Sequence, residues 1–80
     1  MSIRVRLFAA LREEAGTATT EVDASSVGEA LALLAGRYGA GFARWLDVAS
    51  VLVDGEPTSD PSTPLEPGSE LVVLPPFSGG

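Results

Sequence analysis

The residues of this chain best suited to chemistry are its last two, Gly79 and Gly80. They put a carboxylate on a stalk that carries no side chains, and glycine reaches backbone conformations closed to other residues. Such an end can thread a narrow tunnel and bring its carboxylate against a nucleotide or a cofactor. Chain ends also fray, so the approach to the glycines matters. Leu71-Val72-Val73-Leu74 is strand-like and feeds Pro75-Pro76, then Phe77 and Ser78. The proline pair stops a strand, because proline cannot continue a ladder. Its stiffness also lowers the entropy lost when a tail is ordered in a partner. From Pro75 to Gly80 the extended reach is about 20 Å, at roughly 3.3–3.6 Å per residue. Phe77 lies too far out for a core and suits the mouth of a partner's tunnel.

Composition narrows what the rest of the chain can do. Eighty residues make one small domain, residues 1–80, with 75–80 as a projecting tail. There is no cysteine and no histidine. That removes thiolate metal sites, a cysteine nucleophile, the commonest general base and the commonest zinc ligand. The carboxylates Glu13, Glu14 and Glu29 have helix-end explanations, so no metal site and no acid–base site is expected. The net charge of −6 argues against nucleic acid, which needs a basic face. It suits a basic protein partner, drawn in by steering. All five cationic side chains are arginine: Arg4, Arg6, Arg12, Arg37 and Arg44. No run approaches the length of a membrane helix, and the start lacks a signal-peptide pattern. A cytoplasmic, membrane-free protein is expected.

The elements that must position the tail are legible in order. Ile3-Arg4-Val5-Arg6-Leu7 alternates apolar and polar, the mark of a half-buried strand. Phe8 follows on the arginine-bearing face. Ala9 to Ala15 are strong helix formers and stop at Gly16, a natural C-cap. Thr19 to Val22 reads as a second strand. Ser26 and Glu29 form a capping box for a helix with Val27, Leu31, Leu34 and Tyr38 on one stripe, ended by Gly39 and Gly41. Phe42, Trp45 and Leu46 suit a turn or second helix beneath the sheet. Val51 to Val53 is a strand, Asp54-Gly55 a type I′ turn, and Glu56 to Thr58 its short return. Ser59 to Gly68 is a loop, and Glu70 to Leu74 the last strand. The expected fold class is α+β, with one main helix crossing a mixed sheet whose first and last strands are central.

This order, with a last strand running to Gly-Gly, resembles the β-grasp or ubiquitin-like fold. Val5-Arg6-Leu7-Phe8-Ala9-Ala10-Leu11-Arg12-Glu13 resembles the opening strand and short helix of the small subunits of molybdopterin synthase. Pro67 to Gly80, with its Pro-Pro-x-x-Gly-Gly ending, resembles that family's closing strand and tail. The resemblance implies a sulfur carrier that is not itself an enzyme and binds no cofactor. A ubiquitin-activating-type adenylyltransferase uses ATP to adenylate the Gly80 carboxylate, and sulfur delivery then leaves a thiocarboxylate. The carrier docks on the large subunit of molybdopterin synthase, in an expected heterotetramer. There it gives sulfur to a cyclic pyranopterin monophosphate, two rounds per molybdopterin, the organic part of the molybdenum cofactor.

Docking residues follow from the last strand, which is apolar on both faces. If Leu71 and Val73 face the helix, Val72 and Leu74 face outward, and the β-grasp order that the resemblance implies would place them beside Phe8 on the first strand. Such a patch marks an interaction site, with Arg4, Arg6 and Arg12 as rim contacts. The alternatives are a carrier for cysteine or thiamine biosynthesis, or a ubiquitin-like modifier joined through Gly80 to lysines of other proteins. Thiazole carriers lack a segment like Ala9–Gly16, which counts against the thiamine pathway.

Overall fold

The computed structural model describes residues 2–76. The alternating opening segment forms strand β1 (Ile3–Leu7), with Ile3, Val5 and Leu7 buried and Arg4 and Arg6 exposed. Helix α1 (Ala9–Ala15) ends where Gly16 adopts φ 76 and donates its N–H to the Arg12 carbonyl at 2.9 Å, a left-handed cap that glycine enters without Cβ strain. Strand β2 (Thr19–Val22) leads to α2 (Val27–Tyr38) and α3 (Ala40–Leu46). Strands β3 (Ser50–Val53), β4 (Glu56–Thr58) and β5 (Glu70–Leu74) complete the chain order.

The sheet order is β2-β1-β5-β3-β4. β1 and β5 are parallel, and all other pairs are antiparallel. The helices pack on one face only. Leu11 of α1, Ala30 and Leu34 of α2 and Phe42 of α3 join Val5, Leu71 and Val73 of the sheet, all with no exposure. In α2 the buried stripe runs through Ala30, while Leu31 and Tyr38 are half-buried at its margin. Gly41 does not end α2 but lies inside α3; Gly39, at φ 94 and ψ −172, makes the break alone.

Two turns and one loop set the strand spacing. Asp54 and Gly55 have φ 49 and 86, the paired positive values a type I′ turn requires. The Asp54 N–H donates to the Glu70 carbonyl at 2.9 Å, and the Glu70 N–H donates to Asp54 Oδ1 at 2.9 Å. The β3–β4 turn is thus pinned to the start of β5.

The Ser59–Gly68 loop caps α2. Thr63 and Pro61 carbonyls accept from the Val27 and Gly28 N–H groups at 3.0 and 2.8 Å, filling two acceptor places that a helix start leaves open. Ser26 Oγ accepts from the Glu29 N–H at 3.2 Å, as the capping box requires. Glu29 Oε1 reaches one residue further back than a capping box would, to the Ser25 N–H at 2.7 Å. Ser26 is instead bridged to Pro64 of the loop. Within the loop, the Ser62 hydroxyl and then its N–H hold the Asp60 carboxyl below its usual pKa.

Candidate docking face and tail exit

Alternation along β1 and β5 decides what the uncovered sheet face presents. Arg6 pairs with Thr19 on one side and Val72 on the other; Val72 pairs with Leu52, and Leu52 with Pro57. These five residues form one row across all five strands. The neighbouring row towards the start of β5 is charged, with Glu21, Arg4 and Glu70 in register. Towards the end of β5 the row holds Ser50 and Leu74. Continuing the Leu7–Val73 register by one step brings Phe8 opposite Leu74. The face therefore grades from charged to apolar along the direction in which the chain leaves.

Phe8, Val72, Leu74 and Leu52 are each half-buried, whereas Leu71 and Val73 are fully covered by the helices. The last strand is thus two-faced, as its all-apolar sequence predicts. The Arg6 guanidinium lies 5.5 Å from the Phe8 ring centroid, a cation–π distance that holds the ring at the rim. Phe8 is still extended, at φ −128 and ψ 151. Ala9 then takes φ 51, a left-handed conformation costing an L-residue roughly 1–2 kcal/mol. That abrupt turn starts α1 immediately after Phe8 and keeps the ring at the end of the sheet row.

The expected site residues separate into three groups. Phe8, Val72 and Leu74 come together on the open face. Arg12 is exposed on α1, outside the sheet rows. Phe77, Ser78, Gly79 and Gly80 lie outside the described residues. Pro75 is buried and belongs to the body of the domain, so Pro76 is the first exposed residue after β5. Alternation does not place Leu52 and Pro57 on this face. The two-residue turn at Asp54-Gly55 fixes them opposite each other, but the placement of β3 beside β5 brings them to Val72. Among the described residues, no group of three or more His, Cys, Asp or Glu is placed to hold a metal ion. No helix there is long and apolar enough to cross a membrane.

A mixed five-strand sheet with a central parallel pair and its helices on one face is the β-grasp, ubiquitin-like fold. The ThiS family model matches residues 5–80, and the chain belongs to that family of ubiquitin-like sulfur carriers. Among solved structures it is similar to SAMP1 of Haloferax volcanii, a small archaeal modifier protein, at 36% identity over 100% of both chains with a TM-score of 0.85. It is similar to a chain in the complex of subunits 1 and 2 of molybdopterin-converting factor from Helicobacter pylori, at 26% identity over 100% of both chains with a TM-score of 0.77. A chain of the Amycolatopsis orientalis BexX/CysO complex shares the fold at 22% identity, covering 98% of this chain and 99% of that one, with a TM-score of 0.81. No curated protein matches the sequence.

Proposed function

We propose that this chain is the sulfur-carrying small subunit of a molybdopterin synthase, with Gly80 as its reactive residue. The observation that carries the reading is the apolar end of the open sheet face. Phe8, Val72, Leu74 and Leu52 lie half-buried around the point where β5 gives way to the tail. A partner seated there would receive the tail directly. The opening and closing motifs support the choice of pathway, as does the Helicobacter pylori relative, whose structure is a complex with its second subunit.

In this reading the chain supplies position and a carboxylate, and its cytoplasmic partners supply catalysis. A Gly80 carboxylate oxygen attacks the α-phosphorus of ATP on an adenylyltransferase, and pyrophosphate leaves. A reduced sulfur nucleophile then displaces AMP from the acyl carbon, leaving a thiocarboxylate. On the large subunit that sulfur attacks a carbon of the cyclic pyranopterin monophosphate and displaces an oxygen substituent from it. Water then cleaves the acyl–sulfur bond, which leaves the sulfur on the pterin and returns Gly80 as a carboxylate. Bulk at Gly79 or Gly80 obstructs activation and sulfur transfer by sterics.

A second reading has a specific observation behind it. The 36% identity to SAMP1 favours a modifier whose Gly80 carboxylate is joined to amines of other proteins. Intact-mass analysis after incubation with ATP, an activating enzyme and a sulfur source separates the two. The carrier reading expects one oxygen exchanged for sulfur at the C-terminus and molybdopterin formation with the large subunit. The modifier reading expects high-mass conjugates on a denaturing gel. Deleting Gly80, or adding one residue after it, should abolish sulfur transfer without moving the melting temperature. Sulfur transfer by an untrimmed, extended tail would overturn both readings.

A further inference from the structure

We propose that the β2 edge is a strand-pairing surface for a second copy of this chain, and that Arg37 and Thr17 hold it shut. The inference is independent of the sulfur chemistry. β2 is an edge strand, and an open edge offers main-chain groups to any extended partner. Which groups it offers follows from the ladder. The Leu7 N–H donates to the Ala18 carbonyl at 2.8 Å, so Leu7–Ala18 is a hydrogen-bonded pair. Bonded and non-bonded pairs alternate in an antiparallel ladder. Val5–Thr20 and Ile3–Val22 are therefore bonded, and Arg6–Thr19 and Arg4–Glu21 are not. The N–H and C=O groups of Thr19 and Glu21 point away from β1.

Side chains occupy three of those four groups. The Thr17 hydroxyl donates to the Thr19 carbonyl at 2.8 Å and accepts from the Thr19 N–H at 3.4 Å. Arg37 Nη1 donates to the Glu21 carbonyl and to Thr20 Oγ1, both at 2.8 Å. Arg37 comes from the last turn of α2. Its guanidinium also lies 6.0 Å from the Tyr38 ring, which packs on Phe42 at 5.1 Å. The guard thus rests on an aromatic pair tied to the core. The opposite edge, β4, is closed by a different device. The two-residue turn makes Val53–Glu56 a bonded pair, so Pro57 sits at the next, non-bonded position. Its nitrogen faces outward with no hydrogen to give.

With the guards gone, two copies can pair antiparallel about Thr20. Thr19 of each then lies opposite Glu21 of the other, and all four outward groups on each strand are used. A mere helix-to-strand tie would alter the melting temperature and nothing else.

The test uses the full chain and sedimentation velocity, with circular dichroism verifying the fold. Arg37→Ala and, separately, Thr17→Val should self-associate at least about tenfold more tightly than the parent. Their Thr19 and Glu21 amides should exchange hydrogen more slowly as concentration rises. Glu21→Pro added to either variant should restore parental behaviour, because it deletes an outward N–H and spares the β1 ladder. If both single variants stay folded and associate no more than the parent, the edge is not held by these side chains. Association that survives Glu21→Pro would place the contact elsewhere and overturn the proposal.

Discussion

Phe8 and Leu74 illustrate how one residue's exposure separates packing from recognition. Both are half-buried, on a face where no helix lies, while their neighbours Leu7 and Val73 fill the core. An aspartate at Phe8 or Leu74 meets solvent on one side; an aspartate at Leu71, fully buried, would meet none. Central anchors of an interface commonly contribute about 2 kcal/mol or more, on the order of thirtyfold in affinity. Under the proposed function, Phe8→Asp and Leu74→Asp should therefore weaken binding to the large subunit by about that factor while keeping the parental circular dichroism spectrum. Leu71→Asp should unfold the chain and serves as the contrast. Unfolded Phe8→Asp and Leu74→Asp variants would make these residues part of the core and remove the docking face. The outward facing of Phe8 and Leu74 is legible from alternation, since each lies one residue past a core position; that they lie side by side follows from the β-grasp strand order, which pairs β1 with β5. Leu52 is not legible in that way. It reads as one apolar residue among Val51-Leu52-Val53, and its face is decided by the Asp54-Gly55 turn together with the position of β3 beside β5.

At the scale of elements, α2 shows the same division between local and distant causes. Its start, stripe and end can be read from Ser26, Leu34 and Gly39. The role of Ser59–Gly68 cannot, because it consists of hydrogen bonds to residues over thirty positions away in sequence, such as Thr63 to Val27. Ala30 escapes a stripe drawn through large residues, yet it is fully buried. Gly28 and Gly36 turn this into a measurement. A Cβ built on Gly28 would meet Pro61 Cβ at 3.1 Å and its carbonyl oxygen at 3.2 Å, while one on Gly36 would meet nothing within 4 Å. Alanine is favoured over glycine inside a helix by about 0.8–1.0 kcal/mol. Gly36→Ala should therefore raise stability by about that amount in a denaturant titration. Gly28→Ala should gain none of it, because the new methyl presses on the loop that caps the helix. Equal stabilisation by both would mean that the loop yields freely and does not define the start of α2.

The whole molecule sets eleven acidic residues against five arginines and carries no lysine, cysteine or histidine. Its surface thus holds carboxylates, guanidiniums and hydroxyls but no amine or thiol on any side chain. Under the proposed function this composition acts on the chain's own chemistry. An acyl-adenylate at Gly80 is captured most readily by an amine or a thiolate, and an arginine is protonated at every working pH. A second copy of this chain offers neither nucleophile on its side chains, so the activated end is lost to water but not to another copy's side chains before a partner presents sulfur or a foreign lysine. Incubating the full chain with ATP and its activating enzyme, without a sulfur source, should give adenylate and its hydrolysis product by intact mass. No adduct joining one copy's Gly80 to another's side chain should form. If the modifier reading holds, its conjugates on other proteins should carry single copies rather than chains linked through side chains. A ladder spaced by the mass of one chain, with its bonds mapped to serine or threonine, would show that hydroxyls suffice and that the missing lysines protect nothing.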